Sequence, residues 1–396
     1  MRFDPACVLV RLFVATVAVC FCAGSGSAHL TDEIVVEGCT DIDLHPDPVA
    51  VIEPCTKLIE DGTLKGNQLA AALRHRGDAY FRTKQYRKAY AAYDKALEIQ
   101  PLYPRALWNR ANLNSVHGRI EAKVRDLERA LSIDPSHPLT LEAVGSVFSY
   151  VGEPKRAIDY YSQALRADPS MLRVMFNRAL SYMVVNENSL ALADLEHILK
   201  FSRDEINRNF IVPRGNSLDL YGKVLAQRGN VLRKMQRYDL AQQDLDRLVS
   251  LYPKNPAVYE HRANLWIVTK RPDKAAAEFT RMIELDPRDT DSYQWRARMY
   301  YTMKQFDKAL QDVAVAITIN PAEGESYWIR AGVYNKMRQR DLALESYEYA
   351  FALDASLLPN HLNHLKHRGY YSGPQLTFVD DQIRNGTIAC IVDPHC

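Results

Sequence analysis

The 396-residue sequence carries almost no excess charge: 50 Lys and Arg stand against 48 Asp and Glu, a formal net of +2. A nucleic-acid footprint needs clustered basic charge, and no such cluster stands out. The apolar run near the start, Leu12 to Cys22, is too short to cross a bilayer as a helix. No glycine-rich phosphate loop, G-x-S-x-G, H-E-x-x-H or paired-cysteine metal motif occurs. The expectation is therefore a protein that is not an enzyme and holds no cofactor or metal. Its surface, not a reaction centre, should carry the function.

What the sequence does have is a period. Leu73 to Pro101 reads as two amphipathic helices broken at Lys84–Gln85. Ala89, Tyr93 and Ala96 share one face of the second helix, and Pro101 stops it. Small residues at Gly77, Ala89 and Ala96 let the two helices approach closely, with tyrosines filling the space between. Prolines ending a similar second helix recur at Pro101, Pro135, Pro169, Pro253, Pro287 and Pro321, in steps of 34, 34, 84, 34 and 34 residues. The long step is one normal unit plus one of 50 residues. The small residue of the first helix recurs as Gly77, Ala111, Gly145, Ala179, Gly229, Ala263, Ala297 and Ala331. An aromatic follows three residues later at Tyr80, Phe148, Tyr182, Trp266, Tyr300 and Tyr334, with Asn114 and Leu232 as departures. The second helix has its alanine at Ala89, Ala157, Ala191, Ala241, Ala275, Ala309 and Ala343, with Lys123 as the departure.

On these residues the chain resembles the tetratricopeptide repeat family, a 34-residue helix–turn–helix array. The resemblance implies an all-α fold: a right-handed superhelical α-solenoid of about eight helix–turn–helix repeats with capping segments. The expected divisions are a signal peptide at 1–28, an N-terminal cap at 29–69, the solenoid at 70–357 and a C-terminal cap at 358–396.

Several segments lie outside the repeat. Met1 to Ala28 has Arg2 and Arg11 before the short apolar run, then small residues at Gly26-Ser27-Ala28, so it reads as a secretory leader. A lipid-modified Cys20 and an uncleaved anchor stay open as alternatives. The expected location is periplasmic or secreted in a bacterium. Beyond the leader remain Cys39, Cys55, Cys390 and Cys396, an even number that argues for disulfides in an exported chain. A solenoid holds the two pairs at opposite ends, so Cys39–Cys55 and Cys390–Cys396 are the expected bonds; four free thiols are the other reading. Val51, Ile52, Cys55, Leu58 and Ile59 mark a capping helix bent at Pro54. The enlarged unit places an insertion near 202–217, either a functional loop or an extended helix with a long turn. At the far end a helix from Pro359 to Arg368 turns Leu362 and Leu365 inward; its His361, His364 and His367 read as a solvated face. Gly369 to Pro374 faintly resembles the opening of a peptidoglycan-binding repeat, and a disulfide-pinned cap is the alternative.

Arginine precedes the small residue in seven of eight units: Arg76, Arg110, Arg178, Arg228, Arg262, Arg296 and Arg330. Five second helices carry an acid in register, Asp126, Asp194, Asp244, Glu278 and Asp312, while the third unit has Val144 and Tyr160 instead. An internal Arg–carboxylate ladder is expected. A basic stripe for an anionic ligand is the competing reading.

The family resemblance also implies a concave groove lined by the first helix of each unit. Carried over position by position, it comprises Arg74, Asp78, Arg105, Trp108, Asn112, Arg173, Phe176, Lys223, Asn230, Arg233, Glu260, Asn264, Gln294, Arg298, Tyr301, Trp328 and Asn335. The Lys/Asn/Arg clamp for C-terminal carboxylates of chaperone-binding members is not reproduced in order. Exposed aromatics there would mark a contact site; packing of Trp108 and Trp328 against neighbouring helices is the other reading. The functional expectation is a scaffold of the cell envelope that binds an extended peptide or partner protein. The alternative is an envelope factor that contacts peptidoglycan through its tail and recruits an enzyme through its repeats.

Overall fold

The computed structural model describes residue 39 and residues 47–208, 217–367 and 381–392. The leader-like segment, Gly369 to Pro374, Cys396 and insertion residues 209–216 lie outside the described residues. Two compact units divide the chain, Met1–Asn186 and Glu187–Cys396.

The first unit begins with α1 (Val49–Glu60). Three hairpins follow: α2 (Gly66–Arg82) with α3 (Tyr86–Ile99), α4 (Pro104–Val116) with α5 (Ile120–Ile133), and α6 (Pro138–Tyr150) with α7 (Pro154–Ala167). It closes with α8 (Leu172–Val184). The second unit opens with α9 (Asn188–Ile198) and the short α10 (Arg203–Asn207). Its four hairpins pair α11 (Leu220–Lys234) with α12 (Tyr238–Leu251), α13 (Pro256–Val268) with α14 (Pro272–Leu285), α15 (Thr290–Thr302) with α16 (Phe306–Ile319), and α17 (Gly324–Lys336) with α18 (Arg340–Leu353). Then come α19 (Leu358–His367) and α20 (Asp381–Val392). Hairpin stacks on hairpin in each unit, which is the α-solenoid that the period implies.

Local chemistry explains the hairpin. Residues 84, 118, 152, 186, 236, 270, 304 and 338 all have positive φ, in one register through the array. The left-handed residue turns the chain so that the next N–H reaches back five residues, as from Gln85 N to Tyr80 O at 2.8 Å and from Arg271 N to Trp266 O at 2.7 Å. Only Gly118 and Gly152 use glycine at this site. Between the helices, Gly77 and Gly145 make room for Tyr93 and Tyr161. A methyl group at either would come within 2.6 or 2.7 Å of the facing tyrosine ring.

The ladder is present, and it is wider than expected. Arg110 holds Asp126 through Nε at 2.9 Å and Nη2 at 2.5 Å. Arg228, Arg262 and Arg296 hold Asp244, Glu278 and Asp312 in the same bidentate way. A further arm reaches the preceding hairpin: Nη1 of Arg110 meets Asp94 at 2.6 Å, of Arg262 meets Asp246 at 2.8 Å, and of Arg296 meets Thr280 Oγ1 at 3.1 Å. Each of these guanidinium groups thus ties two successive repeats, not only two helices of one. Asn114 and Trp266, three residues past the small position, donate to the ladder acids Asp126 and Glu278. Arg178 and Asp194 stand one in each unit. In the third repeat Tyr160 stacks on Phe148 at 5.4 Å instead. In the first, Ala92 stands where the acid would be, and among the described residues the buried Arg76 Nε has no acceptor.

Caps close the described ends. Cys39 and Cys55 form the expected disulfide, packed with Val51, Ala72 and Ala79. Cys390 is disulfide-bonded as well; Cys396, its expected partner, lies outside the described residues. Leu362, Leu365, Ile383 and Cys390 are buried against Tyr347 and Phe351 of the last hairpin. The insertion begins as α10, capped reciprocally by Ser202 and Glu205. Its stem is pinned on Asp219, which accepts from Arg203 Nη2 at 2.7 Å, Asn207 Nδ2 at 2.9 Å, Gly222 N at 2.8 Å and the Tyr252 hydroxyl.

Candidate functional site: a groove over the first three repeats

The first unit contains a groove of about 520 Å³ built by the first helices of its three hairpins. Phe81 and Arg82 come from α2, Arg105, Trp108, Asn109 and Asn112 from α4, and His137, Leu139 and Thr140 from the start of α6. Arg74, Asp78 and Tyr93 lie at its floor, all buried. Its walls mix apolar faces, from Phe81, Trp108 and Leu139, with a few polar groups, as small-ligand and peptide sites do.

The floor is a closed polar network. Arg74 Nη1 donates to Asp78 Oδ2 at 2.7 Å, and its Nε donates to the Tyr103 hydroxyl at 2.9 Å. The Tyr93 hydroxyl donates to Asp78 Oδ1 at 2.8 Å, and Asn109 Nδ2 does so at 2.5 Å. Burial, then the neighbouring Asp78 charge, pushes the Tyr93 phenol far above its ordinary range. It therefore stays a donor at every physiological pH. The walls are less committed. Among the described residues no side chain hydrogen-bonds the Asn112 amide, and the indole N–H of Trp108 is buried without an acceptor.

Of the residues expected to line the groove, five meet here: Arg74, Asp78, Arg105, Trp108 and Asn112. The structure also corrects the set. Arg74 and Asp78 are structural floor, not reaching side chains. Asn109, next to Trp108 on α4, is held by Asp78. Phe176 belongs to the core of the first unit. Arg173 extends from α8 to Glu142 of α6 at 2.8 Å; burial raises the Glu142 carboxyl despite that partner.

In the second unit the expected positions are mostly occupied by internal partners. Gln294 is buried and bonded to Ser326 Oγ at 2.9 Å. Arg298 pairs with Glu325 and lies over the Trp295 ring. Tyr301 packs with Phe306 in a core cluster. Trp328 lies edge-on to Tyr347 at 5.2 Å and beside Phe351 at 5.8 Å. Lys223, Asn230, Arg233, Asn264 and Asn335 are half-buried, and Asn230 contacts the His261 ring at 3.4 Å. Burial, then the charge of Arg233, lowers the pKa of that histidine.

The sequence reading passed over Phe81, Arg82, His137, Leu139 and Thr140. Phe81 and Leu139 occupy the same register positions as the residues chosen in other repeats, so the period itself could have found them. His137 and Thr140 have no such signal; they enter through the cap of α6, where His137 Nδ1 accepts from Thr140 N.

Comparison with known proteins agrees with this architecture. Tetratricopeptide repeat models match residues 145–201 and 227–290, and a further repeat model matches 77–115. The crystal structure of a tetratricopeptide repeat protein from Parabacteroides merdae shares the fold, with a TM-score of 0.50 at 21% identity over 63% of this chain and 93% of that one. Anaphase-promoting complex subunit 3 of Schizosaccharomyces pombe is 21% identical over 136 residues, 34% of this chain and 20% of that protein. Hsp70-Hsp90 organizing protein 3 of Arabidopsis thaliana is 27% identical over 101 residues, 26% of this chain and 18% of that protein. The chain thus spans only about a fifth of the length of these relatives. Period, stacked hairpins and repeat matches together show tetratricopeptide repeats in both units of this chain.

Proposed function

We propose that this is a non-catalytic interaction protein of the bacterial envelope, which binds an extended peptide or partner segment in the groove of its first three repeats. Tetratricopeptide repeats mediate protein–protein interaction, and the groove supports a particular place for it here. The observation that carries the reading is the wall of that groove. Trp108, Phe81 and Leu139 offer apolar surface around a cavity, and Asn112 offers an uncommitted amide beside them. An amide of that kind satisfies a peptide backbone without selecting its sequence, while a groove tryptophan supplies contact area at little entropic cost. The leader-like segment and the Cys39–Cys55 disulfide support export to an oxidising compartment.

A photo-crosslinking residue at 112, and another at 335 in a second variant, tests this with a displayed library of random extended peptides. Crosslinks concentrated at 112 are expected. Crosslinks at 335 alone would move the site to the second unit and end the proposal as stated.

A further inference from the structure

The floor of the groove already contains an anion. Asp78 is 8% exposed, and the donors on its carboxylate come from three helices: Arg74 of α2, Tyr93 of α3 and Asn109 of α4. A guanidinium, a phenol and a carboxamide converging on two oxygens is a donor set suited to any carboxylate. Here the chain supplies that carboxylate from its own helix. Arg74 is fixed in turn by Tyr103 and by the His75 ring, which its Nη2 meets at 3.0 Å. The arrangement therefore does not depend on a ligand.

We infer that Asp78 is the specificity-determining residue of the groove: a resident carboxylate that fills an anion site at its floor and excludes segments that would place an acidic group there. This rests on the groove being the partner site. A second carboxylate at the floor would face the Asp78 charge in a poorly solvated place, with the donors already engaged. An uncharged stretch of backbone meets no such repulsion. Arg82 and Arg105 stand at the rim, and each already has an interaction within the chain. The partner class that follows is an internal, neutral segment with an apolar side chain for the Trp108 wall, not a chain terminus.

Removing the resident carboxylate should turn the floor into a receptor. In Asp78→Ala the three donors face a vacancy that acetate can fill. Thermal unfolding is measured for the full chain and the variant in sodium acetate and in sodium chloride at equal ionic strength, at neutral pH. The variant should melt lower in chloride and regain more than half of that loss in acetate, while acetate and chloride act alike on the natural protein. Acetate that stabilises the natural protein as much as the variant, or fails to rescue the variant, overturns the inference. Asp78→Ser, which keeps one acceptor, repeats the test if Asp78→Ala does not fold. A second arm uses random peptides with free-acid or amidated C termini. The natural protein should show no preference, and Asp78→Ser should gain about a tenfold preference for free acids; a free-acid preference in the natural protein also overturns the inference. Acetate rescue reads the floor alone, so its outcome is independent of whether Trp108 contributes to peptide capture.

Discussion

Trp108 and Trp328 hold the same place in their repeats, three residues before the small residue of the first helix. Their surroundings differ completely. Trp108 walls a groove, with Leu139 and Thr140 of the next hairpin across from it. Trp328 packs on Tyr347 and Phe351, in the cluster that also holds Leu362, Leu365 and Ile383 of the cap. Register in a solenoid fixes where a side chain starts; the element that follows decides whether the side chain is available.

Truncating the two rings should have very different consequences. Trp328→Ala should lower the stability of the second unit by about 3 kcal/mol, because it opens a cavity in a packed aromatic cluster. Trp108→Ala should change stability far less. Urea unfolding of both variants measures this, and equal losses would erase the distinction.

The ladder gives the next largest effect. Arg262→Ala strands Glu278 and loses the tie to Asp246 of the preceding hairpin, for a cost of about 1–3 kcal/mol. Arg330 bonds the neutral Ser346 at this register, so Arg330→Ala should cost about 1 kcal/mol or less. The double change Arg262→Leu with Glu278→Tyr imitates the third repeat and should regain much of the single-mutant loss. Losses that simply add would show that the pair is not coupled.

Two carboxylates sharpen the contrast through pH. Burial pushes Asp219 upward, but hydrogen bonds from Tyr252, Gly222 N and Arg203 outweigh it and hold the group below its ordinary range. Its contribution is therefore present at neutral pH and is lost as pH falls through the ordinary carboxylate range and below it. Glu142 is raised by burial, so its contribution has the opposite sign: it is greatest in acid and is lost as pH rises through the raised pKa. Asp219→Asn should flatten the acid limb of the stability curve, and Glu142→Gln should remove a loss on the alkaline side. Urea midpoints across pH 3 to 8 check both, about the range in which carboxylates titrate.

The smallest effects lie at the turns. Lys270 holds a left-handed backbone that glycine adopts freely, so Lys270→Gly should be neutral or stabilise by up to about 1 kcal/mol. Gly118→Ala, in the same register, should destabilise by a similar amount, read from the same melting curves.

Much of the fold was legible because small residues and prolines recur at fixed steps. The ladder acids were legible too, since Asp126, Asp244, Glu278 and Asp312 each lie 16 residues beyond their arginine. The reach back to Asp94, Asp246 and Thr280 was missed, although those residues stand equally far before it. The site was legible only as a face. Phe176 sinks into the core, and Trp328 is held by Tyr347 and Phe351 of its own hairpin, which register alone does not reveal. Asp78 looked like a groove residue and is one, but its partners Tyr93 and Asn109 come from two other helices. Only the assembled floor shows that Asp78 already occupies the donors gathered there.

The most direct test is capture of extended peptides by full-length Trp108→Ala beside the natural protein, with thermal unfolding measured on the same samples. A loss of about 2 kcal/mol in capture, with unfolding nearly unchanged, is the result expected of a groove anchor. Unchanged capture, or a collapse in melting temperature, would show that Trp108 serves the solenoid and that the partner binds elsewhere.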